Sequence, residues 1–238
     1  MSLKQHGRTV TVLAAIFSAV LAAAGDGVNS DYITPESTFS HDRHYGVTIP
    51  VYHIETAEQP DLRENKVVDL RTGDVLAVLR ASTPGYDRAL NHHEAPLPRW
   101  SQDSSLLLWK IGGKWCPDSL ILLNIEQNKA KWQLDLLQTA QQEILSRTQK
   151  AAPEQYKISK KHTEGNGSAY PDGFTVDVTT DGEETDPVSL PLRVHADLTA
   201  NPKQIEGNPN LDSHLDGVVN KDGKFVVQEF QLGERKAP

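Results

Sequence analysis

Four histidines offer the first candidate chemistry in this chain. His41 and His44 are three residues apart in "HDRH", and His92 and His93 are adjacent in "NHHE". Imidazole groups bind divalent metals and act as general bases, so these four residues are the candidates for a metal site. Neither spacing matches H-E-x-x-H or a Cys/His zinc pattern, and exposed loop histidines are the alternative interpretation. The four histidines therefore carry one hypothesis, an unrecognised hydrolase that works with or without a metal.

Other catalytic motifs are absent from the sequence. It contains no G-x-S-x-G elbow, as α/β-hydrolases have, and no S-x-x-K set with its companion motifs, as β-lactamases and penicillin-binding proteins have. It also lacks the glycine-rich phosphate cradles G-x-x-x-x-G-K-[ST] and G-x-G-x-x-G. The acidic stretch Asp181–Asp186 lacks the ligand order of a calcium-binding EF-hand, so a solvated turn is favoured over weak calcium binding. His162, His195 and His214 stand isolated, and we assign no catalytic residue and no cofactor.

An aromatic-Ser-x-Asp motif precedes two apolar segments. It occurs as "FSHD" from Phe39 and as "WSQD" from Trp100, so that Asp42 and Asp103 are 61 residues apart. A third, degenerate copy, "WCPD", begins at Trp115. An aspartate in this position accepts hydrogen bonds from the backbone that follows it and closes a tight turn. The aspartates are therefore predicted to shape the entries to strands, with paired catalytic carboxylates as the alternative.

Residues 38–134 resemble TolB-like and WD40-like β-propeller blades, in which an aromatic-Ser-Pro-Asp-Gly motif precedes a strand. Arg43, Ser104 and Ser119 replace the glycine in the three copies, and proline remains only as Pro117. The resemblance implies blade-like sheets that build an interaction surface. A closed propeller needs at least four blades of roughly 40 residues, whereas this segment has room for about two. The blades must therefore close in another way or pair with another chain.

Hydrophobic patterns place strands on both sides of one helix. Hairpin turns are predicted at residues 72–74 and 221–223, where glycine can adopt the positive φ of a tight turn. Leu192, Val194, Ala196 and Leu198 alternate with polar residues, as in a half-buried strand. The predicted strands and hairpins lie at residues 45–54, 67–79, 105–111, 119–125, 173–180, 188–200 and 215–232.

The helical period appears once. Leu137, Ala140 and Ile144 recur at i, i+3 and i+7, which predicts an amphipathic helix at about 133–149. The repeat would instead place a strand at 130–134, and Pro153 is expected to prevent continuation of the helix. The predicted fold is therefore α+β and β-rich: an antiparallel blade-like sheet, this helix, and a second antiparallel β segment.

The predicted domain organisation follows from these elements. Residues 38–150 form a blade-like subdomain with the helix, 151–170 a linker or loop, and 171–238 a C-terminal β subdomain. Whether the two β segments share one core is left open by the pattern. An extended lead-in is expected at 25–37.

The N-terminus predicts export. Lys4 and Arg8 precede the uncharged run Val10–Ala24, which is shorter than the roughly 20 residues of a spanning helix. Small residues at Ala22 and Ala24 complete a cleavage signal, so residues 1–24 are predicted to be a signal peptide. We expect a periplasmic or secreted protein with no stable membrane insertion after cleavage.

Charge and cysteine content limit the partners. Loss of residues 1–24, which carry two basic and no acidic residues, changes the net charge from −8 to −10. Such acidity disfavours nucleic acid as a partner, because phosphate neutralisation needs clustered cations. Cys116 is the only cysteine, so no intramolecular disulfide can form. The favoured interpretation is a non-catalytic binding or interaction module for an unidentified protein or glycan, with the hydrolase as its alternative.

Overall fold

A computed structural model describes residues 32–50, 64–79, 98–112, 117–161, 171–200 and 211–236. The predicted signal peptide, His92, His93 and Cys116 lie outside these ranges. Within them, neither helix has the length and apolarity needed to cross a membrane.

The described residues form twelve strands in three four-stranded antiparallel sheets, together with two α-helices. The predicted β-rich α+β fold class is therefore confirmed. In each sheet the spatial order of the strands follows their order along the chain, so every sheet is a meander. We call them sheet I (β1–β4), sheet II (β5–β8) and sheet III (β9–β12).

Sheet I contains the first predicted hairpin. Val47 and Val67 are register partners in its two central strands, and both are fully buried. Gly73 has φ of 78° in the turn between the last two strands, as predicted for Thr72-Gly73-Asp74. The strands are β1 (Tyr32–Ile33), β2 (Tyr45–Pro50), β3 (Asn65–Asp69) and β4 (Val75–Leu79).

Sheet II is buried on both faces. Leu107 pairs with Leu123 on the side of sheet I, while Leu108 pairs with Leu122 on the opposite side. A strand that is covered on both faces needs apolar residues at successive positions, which explains the run "LLLW". The strands are β5 (Arg99–Trp100), β6 (Leu106–Gly112), β7 (Pro117–Glu126) and β8 (Lys129–Asp135).

Sheet III has one buried and one solvent-facing side. Val194, Ala196 and Leu198 are buried, as their alternation predicts, and Arg193 and Asp197 lie on the other face. The predicted hairpin turn is present, with Gly223 at φ of 74°. The strands are β9 (Phe174–Thr180), β10 (Leu192–Ala200), β11 (Asp212–Val219) and β12 (Phe225–Leu232).

Helix α1 (Leu136–Ala151) buries the predicted stripe of Leu137, Ala140 and Ile144. It begins later than the expected position 133, because residues 133–135 pair with β7 as the end of β8. The Asp135 carboxylate then caps the helix by accepting the Gln138 N–H at 3.1 Å.

Helix α2 (Pro153–Lys161) lies in the segment expected to be a linker or loop. Pro153 begins this helix instead of only ending the previous one, since a first-turn proline needs no N–H partner. Tyr156 anchors the helix: it is 2% exposed, packs on Phe174, and donates to Asp172 Oδ2 at 2.6 Å.

The layers follow the order sheet I, sheet II, α1, sheet III. One hydrophobic cluster joins the inner faces of sheets I and II and includes Val67, Trp109 and Ile121. A second cluster joins the other face of sheet II to α1 and sheet III and includes Leu122 and Leu215. The two β segments therefore share a core through the helix.

Candidate functional site

Two turns of the same form introduce β2 and β6. In the first, the Ser40 hydroxyl donates to Asp42 Oδ1 at 2.7 Å, and the same oxygen accepts the His44 N–H at 3.0 Å. Ser40 Oγ in turn accepts the Tyr45 N–H at 2.9 Å. Burial acts to raise the pKa of Asp42, but these hydrogen bonds outweigh it and hold that pKa below its usual value.

The second turn repeats this pattern. Ser101 donates to Asp103 Oδ1 at 2.6 Å, Asp103 accepts the Ser105 N–H at 3.1 Å, and Ser101 Oγ accepts the Leu106 N–H at 2.8 Å. Bonds from the Ser101 and Ser105 hydroxyls lower the pKa of Asp103. The predicted turn role of both aspartates is confirmed by these contacts.

The residue after each aspartate has left-handed backbone, with φ of 55° at Arg43 and 60° at Ser104. These are the positions at which the blade motif carries glycine. Ser104 also joins the two turns, because its Oγ lies 3.4 Å from the Asp42 nitrogen, which donates to it. The two sheets are thus connected at the ends where these strands begin.

Asp69, at the end of β3, is the hub of this connection. Its side chain is 2% exposed. Oδ1 accepts the Arg71 N–H at 2.8 Å, while Oδ2 accepts the Asn128 side-chain amide at 3.1 Å and lies 3.5 Å from Arg71 Nη2. Asn128 belongs to the turn between β7 and β8, so one buried carboxylate fixes turns of two sheets.

His44 completes the hub. Its Nε2 lies 3.1 Å from Asp69 Oδ2 and carries the proton, because a carboxylate can only accept. The ring stacks on Tyr45 with centroids 4.3 Å apart, and the Tyr45 hydroxyl donates to Asn128 Oδ1 at 2.8 Å. Burial raises the pKa of Asp69, but the bonds from Arg71 and His44 more than offset it and lower that pKa overall.

Residues 41–44, 70–74, 101–105 and 127–128 thus meet at one end of sheets I and II. We call this set the four-turn end. It exposes charges of both signs and neutral polar groups, carried by His41, Asp42, Arg43, Arg71, Thr72, Asp74, Gln102, Asp103, Gln127 and Asn128.

The four predicted histidines can be placed only in part. His44 binds Asp69 and His41 is exposed, while His92 and His93 lie outside the described residues. In the part of the chain that the structure describes, no three His, Cys, Asp or Glu side chains group as metal ligands.

Sequence reasoning missed a second titratable cluster, on the outer face of sheet III. His195 Nδ1 lies 2.7 Å from Asp216 Oδ1, and its Nε2 lies 2.9 Å from Asp181 Oδ1. Both nitrogens face carboxylate oxygens, an arrangement that favours the protonated form of the ring. Burial lowers the pKa of His195, yet the two carboxylates raise it overall.

Arg235 extends this cluster. Its Nη1 donates to both Asp216 oxygens at 2.8 and 3.0 Å, and its Nε donates to Asp197 Oδ1 at 2.9 Å. The guanidinium therefore holds the segment after β12 against β10 and β11. His195, expected to be isolated, and Asp181, assigned to a solvated turn, are both parts of this network.

Arg99 connects that turn to sheet II. From β5 it donates to the carbonyl oxygens of Asp181 and Asp186, each at 3.0 Å, and to Thr180 Oγ1 at 3.0 Å. The acidic stretch is therefore attached to the neighbouring sheet by a cation. His214 is also engaged, since its Nδ1 lies 3.1 Å from the Gly233 oxygen.

Comparison with protein-family models, with curated proteins and with solved structures finds no match to this chain. The arguments about function therefore rest on the geometry of the four-turn end and of sheet III.

Proposed function

We propose that this chain is an exported, non-catalytic binding module that contacts another protein through its four-turn end. The observation that carries the proposal is the hub at Asp69. It fixes turns from two sheets to each other, and His41, Gln102 and Gln127 are exposed on the surface of these turns.

Preorganisation is the physical basis of this proposal. Binding costs free energy for every loop that must be ordered, and a loop already held by hydrogen bonds avoids that cost. The Ser40–Asp42 and Ser101–Asp103 bonds hold two of the four turns, and Asn128 ties a third to Asp69. Binding residues on loops that a rigid scaffold positions are a common arrangement.

The exposed groups favour a protein over a sugar or a nucleic acid. Arg43 and Arg71 stand among Asp42, Asp74 and Asp103, which suits a partner surface with both signs of charge. The aromatic rings beneath the turns are buried, with Tyr45 at 7% and Trp100 at 3% exposure. They offer no open face for an incoming sugar ring.

The hydroxyl and imidazole groups of the first turn have structural partners. Ser40 is 2% exposed, donates to Asp42 and accepts the backbone N–H of Tyr45, so its hydroxyl is engaged inside the turn and is not presented to a substrate. His44 directs Nε2 towards Asp69. This arrangement supports binding over the hydrolase alternative.

The blade-like sheets are part of the proposal. Sheets I and II are four-stranded meanders, and each enters its second strand through the Ser-x-Asp turn. We propose that they are two propeller-type blades stacked face to face. In place of further blades, sheet II has α1 and sheet III against its second face.

Site-specific photocrosslinking in the producing cells tests the proposal. A photoreactive amino acid replaces His41 or Gln102 at the four-turn end, and Lys110, an exposed residue of β6 outside that end, is the matched control position. We expect the two turn positions to crosslink the same protein and the control position not to do so. Equal crosslinking from all three positions, or none, would contradict the proposed surface.

A parallel assay of hydrolytic activity distinguishes the hydrolase alternative from the binding proposal. The purified chain is incubated with model esters, phosphoesters, glycosides and peptides, and His44→Gln is the matched variant. We expect no turnover. Turnover that disappears in His44→Gln would replace the binding proposal with the hydrolase.

A further inference from the structure

We infer that β12 pairs with β12 of a second copy of this chain, which makes sheet III half of a continuous eight-stranded sheet. The inference is independent of the four-turn end. It rests on the composition of β12, on its position, and on a symmetry that its bulge creates.

Position comes first. β12 is an edge strand of sheet III, and among the described residues no strand pairs with its outer side. The segment after β12 does not run along that edge. Gly233 N–H donates to the Asp212 oxygen at 2.7 Å, and Arg235 reaches Asp197 and Asp216 over the outer face of the sheet.

Length and composition set β12 apart from the edge strands β1, β5 and β8 and from the five-residue β4, but not from β9, which has seven residues and one charge. Its sequence FVVQEFQL has eight residues, one charge, and no proline, glycine or lysine. Edge strands are usually protected by charge, proline or shortness. β1 and β5 have two residues each, and β8 carries Lys129, Lys131 and Asp135. β12 also exposes Val226 at 48% and Leu232 at 46%.

The bulge creates the symmetry. Leu215 pairs with Phe230, Asp216 with Glu229 and Gly217 with Val227, so Gln228 is an extra residue. The positions of β12 opposite the inward-facing residues of β11 are therefore Phe225, Val227, Phe230 and Leu232. These four positions are symmetric about the midpoint between Gln228 and Glu229.

An antiparallel copy centred on that midpoint matches both faces. Phe225 would lie opposite Leu232 of the second copy and Val227 opposite its Phe230, which are favourable apolar cross-strand pairs. On the outer face, Val226 would lie opposite Gln231 and Gln228 opposite Glu229. Glu229 would then lie directly opposite Gln228 of the second copy and diagonally across the axis from its Glu229, and the backbone groups along the edge would be paired.

Sedimentation and light scattering of the purified chain over about a hundredfold concentration range test this inference. We expect a reversible monomer–dimer equilibrium. Val226→Lys combined with Gln231→Lys places like charges opposite each other and should weaken dimerisation at least about tenfold. Val226→Lys combined with Gln231→Glu places opposite charges there and should restore it to within about threefold.

The control is Val75→Lys, which introduces one lysine, half of the charge added by the paired-lysine variant, at a 54%-exposed valine of the edge strand β4. It should leave dimerisation unchanged. All substituted positions are exposed, and thermal unfolding of each variant checks that the fold is retained. A wild-type chain that stays monomeric throughout, a dimer that tolerates the paired lysines, or a Lys/Glu variant that does not recover would overturn the inference.

Discussion

The side-chain amide of Asn128 donates to the buried carboxylate of Asp69 across 3.1 Å, and this bond joins a turn of sheet II to a strand end of sheet I. The two residues are 59 positions apart in the chain. The bond lies at the centre of the four-turn end, so its removal should affect stability and the proposed binding surface together.

Asp69→Asn should lower the free energy of unfolding by about 2 kcal/mol or more, because a buried charged acceptor with several donors is lost. Urea denaturation measures the change. Asp74→Asn, in the exposed turn of the same hairpin, should change stability by less than about 0.5 kcal/mol. Equal losses in both variants would refute the assigned role of Asp69.

The stability that the Asp69 carboxylate contributes should depend on pH. The folded-state pKa of Asp69 is lowered, so its stabilisation is present above its unfolded pKa and disappears as pH falls through the folded value. The difference in unfolding free energy between wild type and Asp69→Asn should therefore shrink as the pH is lowered below about 4. A difference that stays constant down to low pH would show that Asp69 is not linked to proton binding.

His195 should act in the opposite direction. Its pKa is raised, so its stabilisation is complete below the unfolded value of about 6.5 and is lost as pH rises through the folded value. We expect His195→Gln to lower the free energy of unfolding at about pH 6, which is below the unfolded pKa of histidine. In alkaline solution the stability of this variant should approach that of wild type. His41→Gln, at an exposed histidine, is the control, and NMR titration of the imidazole should give a midpoint above about 6.5.

Arg235→Ala should lower the unfolding free energy by about 1–2 kcal/mol, since a two-carboxylate contact at a partly exposed site is lost. Arg235→Lys should recover only part of this loss, because an ammonium group cannot donate to Asp197 and Asp216 with the same fork. Hydrogen exchange should accelerate in β11. Lys236→Ala, at the exposed neighbouring residue, should have almost no effect on either measurement.

Two turn glycines form a matched pair. Both have positive φ, but a Cβ on Gly73 would meet nothing within 4 Å, whereas one on Gly223 would lie 2.5 Å from Trp132 Cδ2. Gly73→Ala should therefore cost about 1 kcal/mol of unfolding free energy, from the backbone alone. Gly223→Ala should cost about 2–4 kcal/mol, because Trp132 must also move. Similar losses would show that the Trp132 contact contributes little.

Hairpins and amphipathic faces could be predicted because their causes are local. Gly73 and Gly223 each indicate a turn from the local sequence. The alternation of Val194, Ala196 and Leu198 with polar residues likewise predicts a half-buried strand from neighbouring residues alone. The start of α1 depends on pairing outside its own segment, which only the strand that the repeat places at 130–134 indicated. Residues 133–135 directly precede the helix in the sequence, and the local pattern therefore assigned them to it. They are in a strand because they pair with β7, and that pairing depends on the completed sheet.

The titratable clusters were harder to predict for the same reason. The carboxylates that hold His195 are 14 and 21 residues away, on a turn and on a neighbouring strand. The pairing of β10 with β11 places His195 opposite Asp216. The contact could have been predicted only if this strand register had been known. The histidine motif "HDRH" drew attention to His44, but its partner Asp69 was visible only as the end of a predicted strand.

The position of sheet II between two cores has a consequence for biosynthesis. Its Leu106, Leu108 and Leu122 are covered by α1 and sheet III, whose residues follow on the chain as far as 232. A nascent chain that has emerged only to residue 135 carries this apolar surface uncovered, and such surfaces are the places where growing polypeptides associate wrongly or recruit chaperones. Sheet II is therefore covered on both faces only after residues 136–232 have been synthesised. A pause in translation before that point prolongs the exposure of its apolar side chains.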